Sequence, residues 1–358
     1  MSFLAAQVRV GRRFQRSIRV DSDIDEPSAL EGFICPASTA HALLSMARQV
    51  AQTGQGAFTW TGPYGSGKSS LVVALAALLG PEGRARHQAR AAIGAQTANE
   101  LLSLLKAGRK CWTTLPVVGS RGDPVEAIAH ALGGATRGRR RAPLTAGELV
   151  ERLKAAAREA PGAGLLVVID EMGKLLEHAA AGGGDVYFFQ QLAEAASRSD
   201  GRLLVIGILH QAFDDYAHRL AREVRDEWLK IQGRFADVPM NVAGEEQIAL
   251  IGRAIEADPP AAIRPLAAGI AEAIQRTRPG TGAQLAEELA ACWPLHPVVA
   301  CLLGPLSRRR FGQNQRSVFG FLNSAEPYGF QEFLRVTSAG EMQIYEPAML
   351  WDYLRANL

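Results

Sequence analysis

The chain has 358 residues, 47% of them hydrophobic and 21% charged, with a formal net charge of +3. That length predicts a core domain with a smaller companion, and that charge is too small for the chain as a whole to attract nucleic acid, so any such contact must rest on local patches. The four cysteines, Cys35, Cys111, Cys292 and Cys301, form no CxxC pair and no cluster with histidine, which argues against a zinc site and for reduced thiols.

No apolar run approaches the roughly 20 residues a membrane-spanning helix needs, and the N-terminus lacks the apolar centre of a secretory signal. A cytoplasmic protein without a membrane partner is the expectation. Residues 1–37 read as an N-terminal arm. A helix follows over Ser38–Gln52, with Ser38 as its N-cap. The run Ala57–Thr61 (AFTWT) is the first of five expected strands. The others are Cys111–Val118, Leu165–Ile169, Leu203–Leu209 and Phe235–Met240. The third and fourth are almost wholly aliphatic, as strands covered on both faces should be. Between them lie helical patterns at Gly67–Leu79, Ala95–Leu105, Pro124–Leu132, Ala146–Ala157, Val186–Arg198 and Phe213–Ile231. The alternation predicts an α/β fold with a parallel sheet flanked by helices. Beyond about Ala243 the pattern turns helical, giving a lid over 243–324 after a core over 38–242. A C-terminal helical extension occupies 325–358, and Trp228, Trp293 and Trp351 are expected in cores.

The first strand runs into Gly62-Pro63-Tyr64-Gly65-Ser66-Gly67-Lys68-Ser69. This fits the P-loop pattern G-x-x-x-x-G-K-[ST]. Glycines let backbone N–H groups turn inward around phosphates, and the helix N-terminus adds a favourable dipole. Lys68 supplies a cation for the β- and γ-phosphates, Ser69 offers a hydroxyl to Mg²⁺, and Ser70 extends the nucleotide-binding set. The strand Leu165–Ile169 ends in Asp170-Glu171. Adjacent carboxylates at the end of a buried strand are costly without cationic partners. They read as a Walker B pair, Asp170 for Mg²⁺ and Glu171 to polarise the attacking water. Lys174, one turn on, is expected to pair with Glu171 or Glu177, or to reach a neighbouring subunit's nucleotide.

The order of P-loop, inserted strand, Walker B, a polar strand end at His210-Gln211 and then Arg234-Phe235 resembles the AAA+ ATPases of the initiator and origin-recognition clade. The resemblance implies a five-stranded P-loop core followed by an all-helical lid, with sensor 1 at His210 or Gln211. It makes Arg234 a finger that reaches a neighbour's ATP, and places sensor 2 among Arg308, Arg309, Arg310 and Arg316, Arg316 being favoured. The wording DEMGKLLEHA, LHQAFDDYA, DEWLKIQGRF and NQRSVFGFL is similar to the N-terminal module of large bacterial antiphage-defence ATPases of the BREX kind. Arg234 has three readings from its own surroundings: solvated, paired with a carboxylate such as Asp237, or acting in trans. The basic runs Arg137 with Arg139–Arg141 and Arg308–Arg310 are candidate contacts for DNA or RNA, or simply solvated faces. The leading expectation is an ATP-hydrolysing motor or loader that forms a homo-oligomer with ATP. The alternative is a nucleotide-loaded, STAND-like switch or scaffold that hydrolyses slowly and recruits effector proteins.

Overall fold

The computed structural model describes residues 2–14, 18–63, 65–108, 110–133, 144–159, 163–183, 185–210, 230–280, 282, 284–308, 318–340 and 342–357. In chain order its strands are β1 (Arg9–Val10), β2 (Ala57–Thr61), β3 (Trp112–Val118), β4 (Gly164–Asp170), β5 (Leu203–Leu209), β6 (Ala236–Pro239) and β7 (Ile255–Glu256). The chain falls into two compact units, residues 18–62 with 67–241, and residues 1–17 with 63–66 and 242–358.

The first unit holds a five-stranded sheet in the order β3-β4-β5-β2-β6. Every pairing in it is parallel. Side chains alternate between its faces, and along β2, β4 and β5 both faces are buried. Phe58, Trp60, Leu166, Val168, Leu204, Ile206 and Ile208 point one way. They meet α1 (Val20–Asp23), α2 (Ala37–Thr53), α3 (Lys68–Leu79), α4 (Arg84–Ile93) and α5 (Ala95–Leu104). Ala57, Leu165, Val167, Ile169, Leu203, Val205 and Leu209 point the other way. They meet α6 (Pro124–Gly133), α7 (Ala146–Glu159), α8 (Met172–His178) and α9 (Tyr187–Ser197). Full burial of each such aliphatic side chain contributes about 1.5–3 kcal/mol, so the sheet is the rigid part on which a site at its edge is built. All five expected strands are present, within a residue or two at each end.

The second unit is mainly helical, with helices at Gly244–Ala254, Ile263–Thr277, Leu285–Ala291, Pro297–Arg308, Val318–Leu322, Phe330–Val336 and Pro347–Ala356. Their core includes Leu4, Val8 and Val10 from the N-terminal segment. There β1 pairs antiparallel with β7, Val10 opposite Ile255. A two-residue strand has no readable period, which is why no strand is expected from the sequence beyond Ala243.

Two local expectations are corrected. α2 starts at Ala37 after an extended Pro36, so Ser38 lies inside the helix and does not cap it. Trp351 is 63% exposed, while Leu350 and Tyr353 beside it are buried; a one-sided helix turns every third or fourth residue inward, and Trp351 falls between. Trp293 is buried as expected and donates its indole N–H to the Gln343 carbonyl at 3.0 Å. Trp228 lies outside the described residues. Among the described residues no helix is long and apolar enough to cross a membrane.

Candidate nucleotide-binding site

The site lies at the C-terminal ends of β2, β4 and β5, where open parallel sheets place their ligands. β5 sits between the other two. Thr61 on β2 is level with Leu209, and Ile169 on β4 with Gly207. The three strands therefore deliver Gly62, His210 and Asp170 to one edge.

Gly67 has φ +82° and opens α3 as its N-cap residue, its carbonyl accepting from Leu71 N–H at 2.8 Å. A left-handed φ suits glycine, so the motif glycine is required here by the turn itself. Ser66 N–H donates to the Pro63 carbonyl at 3.3 Å, and Gly65 has φ +72°. Tyr64 lies outside the described residues. Lys68 is only 4% exposed. Its ammonium donates to the Gly62 carbonyl at 2.7 Å. Burial lowers its pKa to about 8, with the Asp170 carboxylate pulling the other way. Ser70 follows Ser69 in the first turn of α3.

Alternation along β4 puts Asp170 on the same face as Leu166 and Val168, which is the face α3 covers. There the Ser69 hydroxyl donates to Asp170 Oδ2 at 3.1 Å, and Glu171 N–H donates to Oδ1 at 2.9 Å. Burial raises the Asp170 pKa, and the neighbouring Glu171 charge adds to this; the Ser69 hydroxyl, the Glu171 N–H and Lys68 oppose it. The pair Ser69 Oγ and Asp170 Oδ2 offers hard oxygens of the kind Mg²⁺ takes, one or two from the protein and the rest from phosphate and water. Among the described residues no group of three or more His, Cys, Asp and Glu is placed to hold a metal.

Glu171 has φ +52° and ψ +36°, the left-handed conformation that only a few per cent of residues other than glycine adopt. It caps α8, and its carbonyl accepts from Lys174 N–H at 3.0 Å. Its carboxylate takes the Lys174 ammonium at 2.5 Å, settling the expected pairing in favour of Glu171. His210 follows β5 directly. Burial, then the charges of Lys68 and Lys174, lower its pKa to about 3. His210 is thus neutral near pH 7 and close to both lysines. Gln211, its rival for the sensor position, lies outside the described residues, as do Arg309, Arg310, Arg316, Arg137 and Arg139–Arg141. Arg308 ends the helix Pro297–Arg308.

Arg234 is at the other edge of the sheet. It precedes β6, whose Ala236 is level with Phe58 near the start of β2, and its carbonyl accepts from Gln55 Nε2 at 3.2 Å. Its guanidinium is half exposed and pairs with Glu194 at 3.2 Å. Asp237, the partner weighed from sequence, instead accepts the hydroxyls of Thr59 and Thr61 at 2.9 and 3.1 Å. Sequence reasoning missed two neighbours of the site residues. Glu194 is the first. The second is Gly119, just past β3, whose N–H donates to the Asp170 carbonyl at 2.7 Å. A Cβ on Gly119 would lie 2.3 Å from the Glu171 carbonyl oxygen. A glycine directly after a strand was the available signal.

A parallel sheet in which one strand feeds a glycine turn with a buried lysine, and a second ends in a carboxylate bonded to the serine after that lysine, defines a P-loop NTPase. The chain belongs to the Novel STAND NTPase 1 family, whose model matches residues 39–248. Among solved structures it is similar to Cdc6p from Pyrobaculum aerophilum, at 15% identity over 68% of this chain and 52% of that one, with a TM-score of 0.34. It is also similar to the ORC2 protein of Aeropyrum pernix in its ADPNP-ADP complexes, at 13% identity over 85% of this chain and 76% of that one, TM-score 0.37. The chain thus spans about half the length of that Cdc6p chain. No curated protein matches it.

Proposed function

We propose that the chain binds Mg-ATP, hydrolyses it slowly, and acts as a nucleotide-loaded switch that assembles in its ATP form. The observation that carries this reading is the cluster of Lys68, Ser69 and Asp170, with Ser69 Oγ 3.1 Å from Asp170 Oδ2. The family match favours the switch over the motor or loader.

Lys68 and the N–H groups at the start of α3 bind the phosphates. Ser69 and Asp170 would hold Mg²⁺, which supplies charge neutralisation across the β- and γ-phosphates. Glu171 receives the proton of the attacking water. Neutral His210, between the two strand ends, accepts or donates a hydrogen bond without adding charge. The left-handed Glu171 supports its assignment, because backbone in sparsely populated regions concentrates at functional sites. Arg234 serves a neighbouring copy, since it lies too far from its own phosphate loop. Effector recruitment, contact with nucleic acid and a part in antiphage defence follow only from the sequence resemblance and the basic runs.

Calorimetric titration with Mg-ATP and a turnover assay test the site together. Lys68→Ala abolishes binding. Glu171→Gln keeps binding and loses turnover by about 100-fold, the scale for a positioned general base. Normal ATP affinity in Lys68→Ala would remove the phosphate site, and normal turnover in Glu171→Gln would remove the base.

A further inference from the structure

Glu171 is held from within its own helix turn. Lys174 Nζ donates to Glu171 Oε2 at 2.5 Å while Lys174 N–H donates to the Glu171 carbonyl at 3.0 Å. The two side chains are 48% and 30% exposed. A spacing of three residues makes the two side chains neighbours, and it keeps the Lys174 charge at the strand ends, near enough to His210 to depress that ring's pKa. Asp170, the other carboxylate there, already accepts from Ser69 and from the Glu171 N–H.

We propose that Lys174 is a brake on hydrolysis: its ammonium occupies the Glu171 carboxylate that must accept the proton of the attacking water. The inference rests on Glu171 being the general base. In the chemical step the water oxygen bonds to the γ-phosphorus. The bond from that phosphorus to the β,γ-bridging oxygen breaks, and its electron pair stays on ADP. The water proton passes to Glu171 and then to solvent. A carboxylate gripped by an ammonium has to turn out of that bond before it can receive the proton. Exposed ion pairs hold about 0.2–1 kcal/mol, so releasing the brake speeds the step about 1.4- to fivefold. Lys174 acts through Glu171 and is a positioning residue.

The test is single-turnover hydrolysis of prebound ATP by the full chain. Lys174→Met, close in length but without charge or donor, hydrolyses about 1.4- to fivefold faster at unchanged ATP affinity. Lys174→Arg, which keeps the pair, stays near wild type. Lys174→Gln repeats the test should the methionine variant melt early. Equal or slower hydrolysis in the uncharged variants overturns the brake; slower hydrolysis with weaker ATP binding would make Lys174 a phosphate contact. The double variant Glu171→Gln, Lys174→Met gains nothing over Glu171→Gln. Near-normal turnover in Glu171→Gln alone would sink the base reading itself, whatever Lys174→Met does.

Discussion

Lys68 carries its charge in a place that disfavours charge. Its ammonium has the Gly62 carbonyl and the Asp170 carboxylate for company and almost no water. Burial brings its pKa to about 8. The unfolded lysine holds its proton to a higher pH than the folded one, so the cost of burying the charge is fully present below pH 8. That cost fades as pH climbs from there towards the ordinary lysine value. Bound phosphates add negative charge beside the ammonium and raise its pKa again. ATP binding at about pH 9 therefore takes up a proton, and binding well below pH 8 does not. Calorimetry in two buffers of different ionisation heat reads this directly; identical heats at about pH 9 would mean that Lys68 does not meet the phosphates. His210, at about 3, is already neutral across this range and contributes nothing to the uptake.

At the scale of elements, the edge of the sheet works because strand ends and helix starts pack backbone to backbone. β3 leaves the sheet beside the turn that aims Glu171, and only a hydrogen atom on Gly119 fits there. Gly119→Ala puts a Cβ 2.3 Å from the Glu171 carbonyl oxygen and 3.1 Å from that of Asp170. Neither atom belongs to a flexible side chain, so the turn must move. The expected cost is about 1–3 kcal/mol, as for other overpacked sites, with a lower melting temperature and a loss of turnover greater than any loss of ATP affinity. Thermal melting and turnover measured on the same sample check both; an unchanged melting temperature would show that the β3 and β4 ends are not in contact. The glycine's role could not be read from sequence, because its crowding comes from a strand distant in the chain. The phosphate loop and Asp170-Glu171 were legible because each is a local pattern at a strand end. β4 and β5 were legible because both their faces are covered and aliphatic runs result. α4 was missed for the opposite reason. Its sequence RARHQARAAI buries an arginine: Arg86 donates to the carbonyls of Gly80, Ala107 and Gly108. A cation on the inner face breaks the apolar period by which helices are found. The partner of Arg234 is Glu194 and not Asp237, because Asp237 alternates onto the face of Thr59 and Thr61, which take its oxygens.

For the whole molecule, the two edges of one sheet carry different halves of the proposed chemistry. Gly62, Asp170 and His210 lie past the strand ends, whereas Arg234 lies before the start of β6, level with the start of β2. At roughly 3.3 Å per residue the two positions are about 20 Å apart along the strands, farther than an arginine side chain extends. Arg234 cannot serve its own nucleotide, so any catalytic part it plays is in a second copy. Its present partner does not forbid this. The Glu194 pair is half exposed on the arginine side, and such pairs hold only about 0.2–1 kcal/mol. A γ-phosphate in a site closed by two copies offers the planar guanidinium a bidentate, more strongly charged acceptor. Arg234→Ala should then bind ATP as the wild type does and lose most of its turnover. Lys68→Ala cannot bind ATP but still presents Arg234. Mixing the two variants should restore part of the activity, because a Lys68→Ala copy supplies the arginine to an Arg234→Ala copy with a sound phosphate loop. The assay is ATPase activity against mixing ratio, with association followed by light scattering. If the copies associate and the mixture gains nothing, Arg234 is a structural ion-pair residue tying β6 to α9, and the assembled state owes its catalysis to another group.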